Sequence, residues 1–217
     1  MRRELQAIYD ALLRAYGPRN WWPGESKTEV VIGAILTQNT NWKNVEKAME
    51  RLRHGNLIDW SRLRDIPNEE LAVVIKPAGY QNLKARRLKN FVTWLWQHHG
   101  GCLDPLKDVP LDEIRKSLLS INGIGPETAD SILLYALERP SFVVDTFTGR
   151  LARRHGLIHP AHTYAELKQL FELHLAPDVA GYNEYHALIV EVGKRNCGPT
   201  PRCAGCPLER FKHSSCD

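Results

Sequence analysis

Leu118-Leu119-Ser120-Ile121-Asn122-Gly123-Ile124-Gly125-Pro126-Glu127-Thr128-Ala129-Asp130 is the stretch on which the fold turns. An apolar helix ends here, a Gly-Ile-Gly hairpin follows, and a new helix starts with Pro126 at its first position, where a missing N–H costs nothing. The two glycines permit positive φ and close backbone approach. Ile124 between them can pin the hairpin onto both flanking helices. The hairpin amides and the start of the new helix then point at one anionic oxygen, such as a phosphate. The alternative is a plain corner between two helices, and the hairpin alone does not separate the two.

Outward from the hairpin the chain keeps helical periodicity. Leu5, Ile8, Tyr9, Leu12 and Leu13 form an apolar stripe, and similar stripes predict helices over 28–38, 45–53, 83–98, 111–120, 126–138, 164–175 and 182–194. Gly17-Pro18, Pro23-Gly24, Pro77-Ala78-Gly79, Gly100-Gly101 and Pro160 separate them. No series of alternating strands and no repeat is visible. The fold class expected is all-α, with about nine or ten helices on short connections. The longest uncharged apolar run, Val30 to Leu36, is too short to span a bilayer. The N-terminus mixes acids with its apolar residues and lacks the apolar core of a secretory signal. A cytoplasmic location and no membrane partner are expected.

The net charge is +4 and the pI about 8.8, a mild bias toward a polyanion. Two clusters hold much of it, Lys84/Arg86/Arg87/Lys89 and Arg150/Arg153/Arg154/His155; each reads equally as a solvated helix face. Of five cysteines, Cys102 stands apart and reads as a small buried hydrophobe. Cys197, Cys203, Cys206 and Cys216 crowd into the tail with spacing C-x5-C-x2-C-x9-C. A disulfide framework does not normally crowd four cysteines there, whereas four thiolates suit a metal or cluster site. Spacing alone favours zinc, and His213 inside the last gap is a further candidate ligand.

Beyond the hairpin comes Val143-Val144-Asp145-Thr146-Phe147-Thr148-Gly149-Arg150. Asp145 reads locally as the N-cap of a helix. The hairpin followed by this aspartate resembles the helix-hairpin-helix, Gly/Pro-Asp superfamily of DNA glycosylases, the endonuclease III group. The resemblance covers nearly the whole chain. It implies a two-lobed helical fold, with residues 24–139 as a six-helix barrel-like domain carrying the helix-hairpin-helix at about 111–138, and 1–23 plus 140–217 as the second lobe with the cysteine loop at 197–216. It implies that Asp145 both caps and catalyses. Ile32 to Thr40 is similar to the family's early helix and following loop, which makes Gln38 the residue that fills the gap left by a flipped base, with Asn39 beside it. Gly123, Ile124, Gly125 and Thr128 complete the expected DNA-binding set. The resemblance turns the cysteine tail toward a structural 4Fe–4S iron–sulfur cluster, with zinc as the alternative, although the first gap is shorter and the last longer than in the family's usual loop.

Two further features bear on the reaction. Endonuclease III itself is bifunctional and uses a lysine on the first turn of the hairpin's second helix as a Schiff-base amine. Glu127 stands there, so a monofunctional enzyme is implied. Trp21-Trp22-Pro23-Gly24 and Leu36-Thr37-Gln38-Asn39-Thr40-Asn41-Trp42 resemble the 3-methyladenine DNA glycosylase III branch. That resemblance assigns Trp22, Pro23 and Trp42 to the base pocket, with Glu127 beside it and Lys194 as its lysine. The function it implies is release of an alkylated purine from double-stranded DNA by a monomeric glycosylase. Open alternatives are an endonuclease III-like glycosylase/AP lyase for oxidised pyrimidines, a mismatch or uracil glycosylase, and a non-catalytic DNA-binding protein.

Overall fold

A computed structural model describes residues 1–21 and 24–211. Among them are eleven α-helices and no strand: α1 (Arg2–Tyr16), α2 (Lys27–Leu36), α3 (Trp42–His54), α4 (Trp60–Asp65), α5 (Asn68–Val74), α6 (Gln81–His99), α7 (Leu111–Ser120), α8 (Pro126–Ser131), α9 (Thr146–Arg154), α10 (Tyr164–Glu172) and α11 (Val179–Arg195). None of the described helices is long and apolar enough to cross a membrane. The chain divides into two compact units, Trp22–Arg139 and Met1–Trp21 with Pro140–Asp217.

In the 22–139 unit α2 is apolar nearly all round. Val30, Val31, Ile32, Ile35 and Leu36 are buried, so the helix is enclosed on every side, by α3, α6, α8 and the turn that follows α8. Side-chain caps fix three starts: Ser26 accepts from the Glu29 amide, Asn41 from Asn44 and Asp59 from Arg62. Glu29 is buried because Arg53 holds both its oxygens, at 2.6 and 2.8 Å. Arg115 of α7 does the same for Asp130 of α8, at 2.8 and 3.0 Å, which ties together the two helices that the hairpin joins.

The other unit packs α11 against α1 and α9. Its core is aromatic: Phe142 stacks on Phe171 at 4.2 Å, and Tyr182 and Tyr185 meet them edge-on. The Tyr185 hydroxyl donates to the Leu5 carbonyl at 2.8 Å, so the burial of a polar tip leaves no unmet bond.

Five expectations need correction. The helix count is above nine or ten because α4 and α5 have six and seven residues, too few turns to show a period. The helix expected over 28–38 stops at Leu36, which leaves Gln38 and Asn39 in a turn. The helix expected over 126–138 is α8 followed by a π-helical turn, Ile132–Ala136. Cys102 is exposed, not buried. Lys84 also departs from a solvated face: it is 1% exposed and donates to the carbonyls of Leu36 at 2.8 Å and Ala78 at 2.7 Å. Burial, with Arg87 nearby, pulls its pKa down to about 8.

Candidate active site

The hairpin closes through the Ile124 amide bonding to the Ile121 carbonyl at 3.0 Å, and Ile124 is buried as the Gly-Ile-Gly reading expects. Gly123 has φ 96, and a Cβ there would overlap the Arg87 side chain, so both conformation and space require glycine. The Gln38 side chain folds back onto this hairpin. Its Nε2 donates to the Gly123 carbonyl at 3.0 Å and to the Thr128 hydroxyl at 2.9 Å, and the Arg87 guanidinium donates to its Oε1. The structure thus brings Gln38, Gly123 and Thr128 into one cluster with Arg87, which the sequence offers only as one of a run of basic residues. Asn39 next to it is exposed in the left-handed conformation, φ 52. Tyr80 is also left-handed and 66% exposed.

Gly125 differs from Gly123. It has φ −90, and a Cβ there would meet nothing within 4 Å. Gly125→Val should therefore leave the fold intact while its side chain blocks whatever approaches the hairpin amides. The expected result is DNA affinity about ten- to hundredfold weaker, the size of one or two charge-assisted hydrogen bonds. Titration with damaged and undamaged duplexes at fixed salt checks this, and both should suffer alike. Intact binding with slowed base release would remove the phosphate-cradle role.

Asp145 lies in the other unit, at the N-cap of α9. Its Oδ1 accepts from both the amide and the hydroxyl of Thr148, each at 2.8 Å, within a capping box. Its Oδ2 lies 3.5 Å from Nε2 of His186 on α11. His186 is 4% exposed, and its ring stacks on Trp21 at 5.6 Å and 21°. Burial works to raise the Asp145 pKa, but His186 and the Thr148 bonds outweigh it and hold the carboxyl below its ordinary range. The group is therefore an anion at neutral pH.

Trp42 starts α3 half-buried, with its ring over Gly33 of α2, 3.4 Å from where a Cβ would stand. Glu127 is exposed on the first turn of α8. Lys194 is exposed in the last turn of α11, next to Gly193, where a Cβ would overlap Phe147. Trp22, Pro23, Cys216 and His213 lie outside the described residues. His186 carries no sequence signal of its own, being one histidine on a mostly apolar helix.

In the tail, Cys197 and Cys206 are half-buried free thiols, and Cys203 is disulfide-bonded. Arg154 donates to the Cys197 sulfur at 3.2 Å and to the Gly198 carbonyl at 2.8 Å. Burial pushes the Cys206 thiol up, and the neighbouring Cys197 adds to this. Among the described residues no three His, Cys, Asp or Glu side chains converge as ligands.

Residues 32–177 match the model of the HhH-GPD superfamily of base excision DNA repair proteins. The chain belongs to this superfamily. A Methanocaldococcus jannaschii protein provisionally named a DNA repair glycosylase is 48% identical over 205 residues, covering 94% of this chain and 93% of its own. Endonuclease III of Thermotoga maritima is 30% identical over 185 residues, 83% and 79% of the two chains. Among solved structures, H. pylori 3-methyladenine DNA glycosylase bound to 1,N6-ethenoadenine superposes with a TM-score of 0.73 at 29% identity, over 89% of this chain and 97% of that one. An endonuclease III–DNA covalent intermediate gives a TM-score of 0.84 at 20% identity, over 97% and 95%, which speaks to the fold alone. The protein is a base-excision-repair DNA glycosylase of the HhH-GPD superfamily with the endonuclease III fold, and DNA is its partner.

Proposed function

We propose that this chain is a monomeric, cytoplasmic, monofunctional glycosylase that hydrolyses the N-glycosidic bond of an alkylated purine in duplex DNA. Two observations together carry the reading: Asp145 is anionic and doubly anchored, and a carboxylate, Glu127, occupies the position in sequence where a lyase would need an amine. A carboxylate cannot form an imine. Asp145 instead stabilises the positive charge that grows on the sugar as the C1′–N bond breaks, and orients the attacking water. The bond electrons leave with the base, the water oxygen bonds to C1′, and its proton passes to Asp145 or solvent. An N3- or N7-alkylated purine is cationic before the break and neutral after it, so no general acid is needed. Trp42 and Trp22 supply aromatic faces for that cation, an attraction of roughly 0.5–2 kcal/mol, with Pro23 as an apolar wall. Lys194, exposed in the last turn of α11, is the lysine that the resemblance assigns to base recognition. The H. pylori neighbour named for 3-methyladenine supports this substrate class.

A second reading has support from names alone. Arabidopsis thaliana ROS1, named a DNA glycosylase/AP lyase, is 31% identical over 170 residues, although this chain spans only 12% of its length. Duplexes containing 3-methyladenine, thymine glycol or a uracil mismatch separate the readings. The expected result is base release from the methylated duplex, strands intact until alkali is added, and no adduct trapped by borohydride. Release of thymine glycol with nicking and a borohydride-trapped adduct, and none of methylated adenine, would overturn it.

The cysteine loop fits a 4Fe–4S cluster on its donor chemistry. Its four sulfurs are soft donors of the kind such a cluster takes, with Cys203 in its thiol form, and Cys197 and Cys206 are near neighbours, the Arg154 guanidinium being bonded to Cys197. Cys197, Cys203, Cys206 and Cys216 are the residues to hold it. When bound, the group would cross-link a tail too short and proline-rich to bury its own core. Arg202 and Arg210, exposed in the same segment, are available to DNA phosphates, and Lys212 follows them in sequence. Protein purified without oxygen should be yellow-brown with about four iron atoms per chain; stoichiometric zinc without visible absorption would replace this assignment with the zinc alternative.

A further inference from the structure

Asp145 divides its two oxygens between different neighbours. Oδ1 is occupied by the helix cap, accepting from the Thr148 amide and hydroxyl. Oδ2 is outside the cap and faces Nε2 of His186 at 3.5 Å. The imidazole is 4% exposed on α11 and stacked on Trp21, so packing fixes its ring plane. Burying an imidazole costs more than burying a phenyl or leucyl group of similar size unless its nitrogens are used. Asp145 meets it across the α9–α11 packing, and Trp21 meets it from the segment after α1.

We propose that His186 is a positioning residue for the reaction: with its proton on Nε2, it holds Asp145 Oδ2 in the orientation that the sugar cation and the attacking water require. The inference rests on the reading of Asp145 as the reacting carboxylate. Thr148 alone leaves Oδ2 free to rotate out about the cap, whereas a second donor from another helix defines both oxygens. The same contact opposes the effect of burial, which favours the protonated acid. Loss of the His186 N–H therefore raises the Asp145 pKa, and the acid limb of the rate profile moves to higher pH.

The test compares His186→Phe, which keeps a ring to stack on Trp21 but has no N–H, with His186→Gln, which returns a donor. Base release is followed under single-turnover conditions from pH 4 to 8 on a duplex that the parent protein processes. Affinity for that duplex and the thermal melt are measured alongside. His186→Phe should be roughly 10–100-fold slower, with unchanged DNA affinity and an acid limb displaced upward. His186→Gln should recover most of the rate and the parental limb. Should the phenylalanine variant not fold, His186→Met is the apolar comparison. A parental rate and acid limb in the apolar variant overturn the proposal. So do apolar and glutamine variants that are equally slow with the limb unmoved, which is the signature of packing alone. Asp145→Asn run in parallel separates the two levels. If it is inactive while His186→Phe is normal, only the positioning role fails. If it is itself near normal, the reading of Asp145 fails and this inference with it.

Discussion

Asp145→Asn should abolish base release while leaving the fold and lesion binding close to those of the parent. Asparagine is as good an N-cap as aspartate. Its carbonyl oxygen can take over both Thr148 bonds now made to Oδ1. What disappears is the negative charge at Oδ2, beside His186. A charge placed against a developing sugar cation in a site that excludes water is worth several kcal/mol, so the rate should fall on the order of a thousandfold or more. Single-turnover release from an alkylated duplex measures it, with a melting curve and a binding titration as controls.

The pH dependence has a definite sign. The folded-state pKa of Asp145 is lowered, so the carboxylate contributes stability that is present above its unfolded pKa and is lost as pH falls through the folded one. Activity should follow the same acid limb. The asparagine variant should lose that contribution to acid unfolding. A variant turning over within tenfold of the parent would take Asp145 out of the mechanism and leave it only the cap.

Arg115→Met should unfold the 22–139 unit more readily than any single surface change. Asp130 is 0% exposed, and the Arg115 guanidinium holds both its oxygens, at 2.8 and 3.0 Å. Methionine keeps most of the arginine stem but leaves a buried carboxylate without that counter-charge, a loss of about 3–5 kcal/mol. The pair spans α7 and α8, so the hairpin between them should loosen and DNA affinity fall with stability. A denaturant midpoint for the parent and the variant gives the number. Adding Asp130→Asn to the variant should restore part of it, because the buried charge is then gone. A loss under about 1 kcal/mol would mean that the pair is solvated.

The readable parts of the sequence were those with local causes. α7, the hairpin and the start of α8 follow from an apolar stripe, two glycines and a proline within thirteen residues. The cap at Asp145 follows from an acid before Thr-Phe-Thr-Gly. α4 and α5 did not show, because six or seven residues hold less than two turns of a period. Lys84 and Cys102 sit in environments that their residue types do not indicate, for a related reason. Residue type gives the average burial of lysine and cysteine, whereas here two carbonyl acceptors make the burial of one lysine affordable, and a turn leaves one thiol exposed.

What the sequence determined by itself is the helical class, the hairpin and the placing of a capping carboxylate after it, since propensity, turn chemistry and capping act over three or four residues. Only the tertiary structure decided what those elements hold. It set His186 against Asp145 from a helix 41 positions further along the chain. It folded Gln38 onto Gly123 and Thr128, and brought Arg87 across to the Gln38 side chain. It used Arg115 to neutralise Asp130. Each of these is a pairing of polar groups distant in sequence. The driving force for each is the cost of leaving a buried polar group unmet, and its partner is chosen by helix packing rather than by neighbours in the chain.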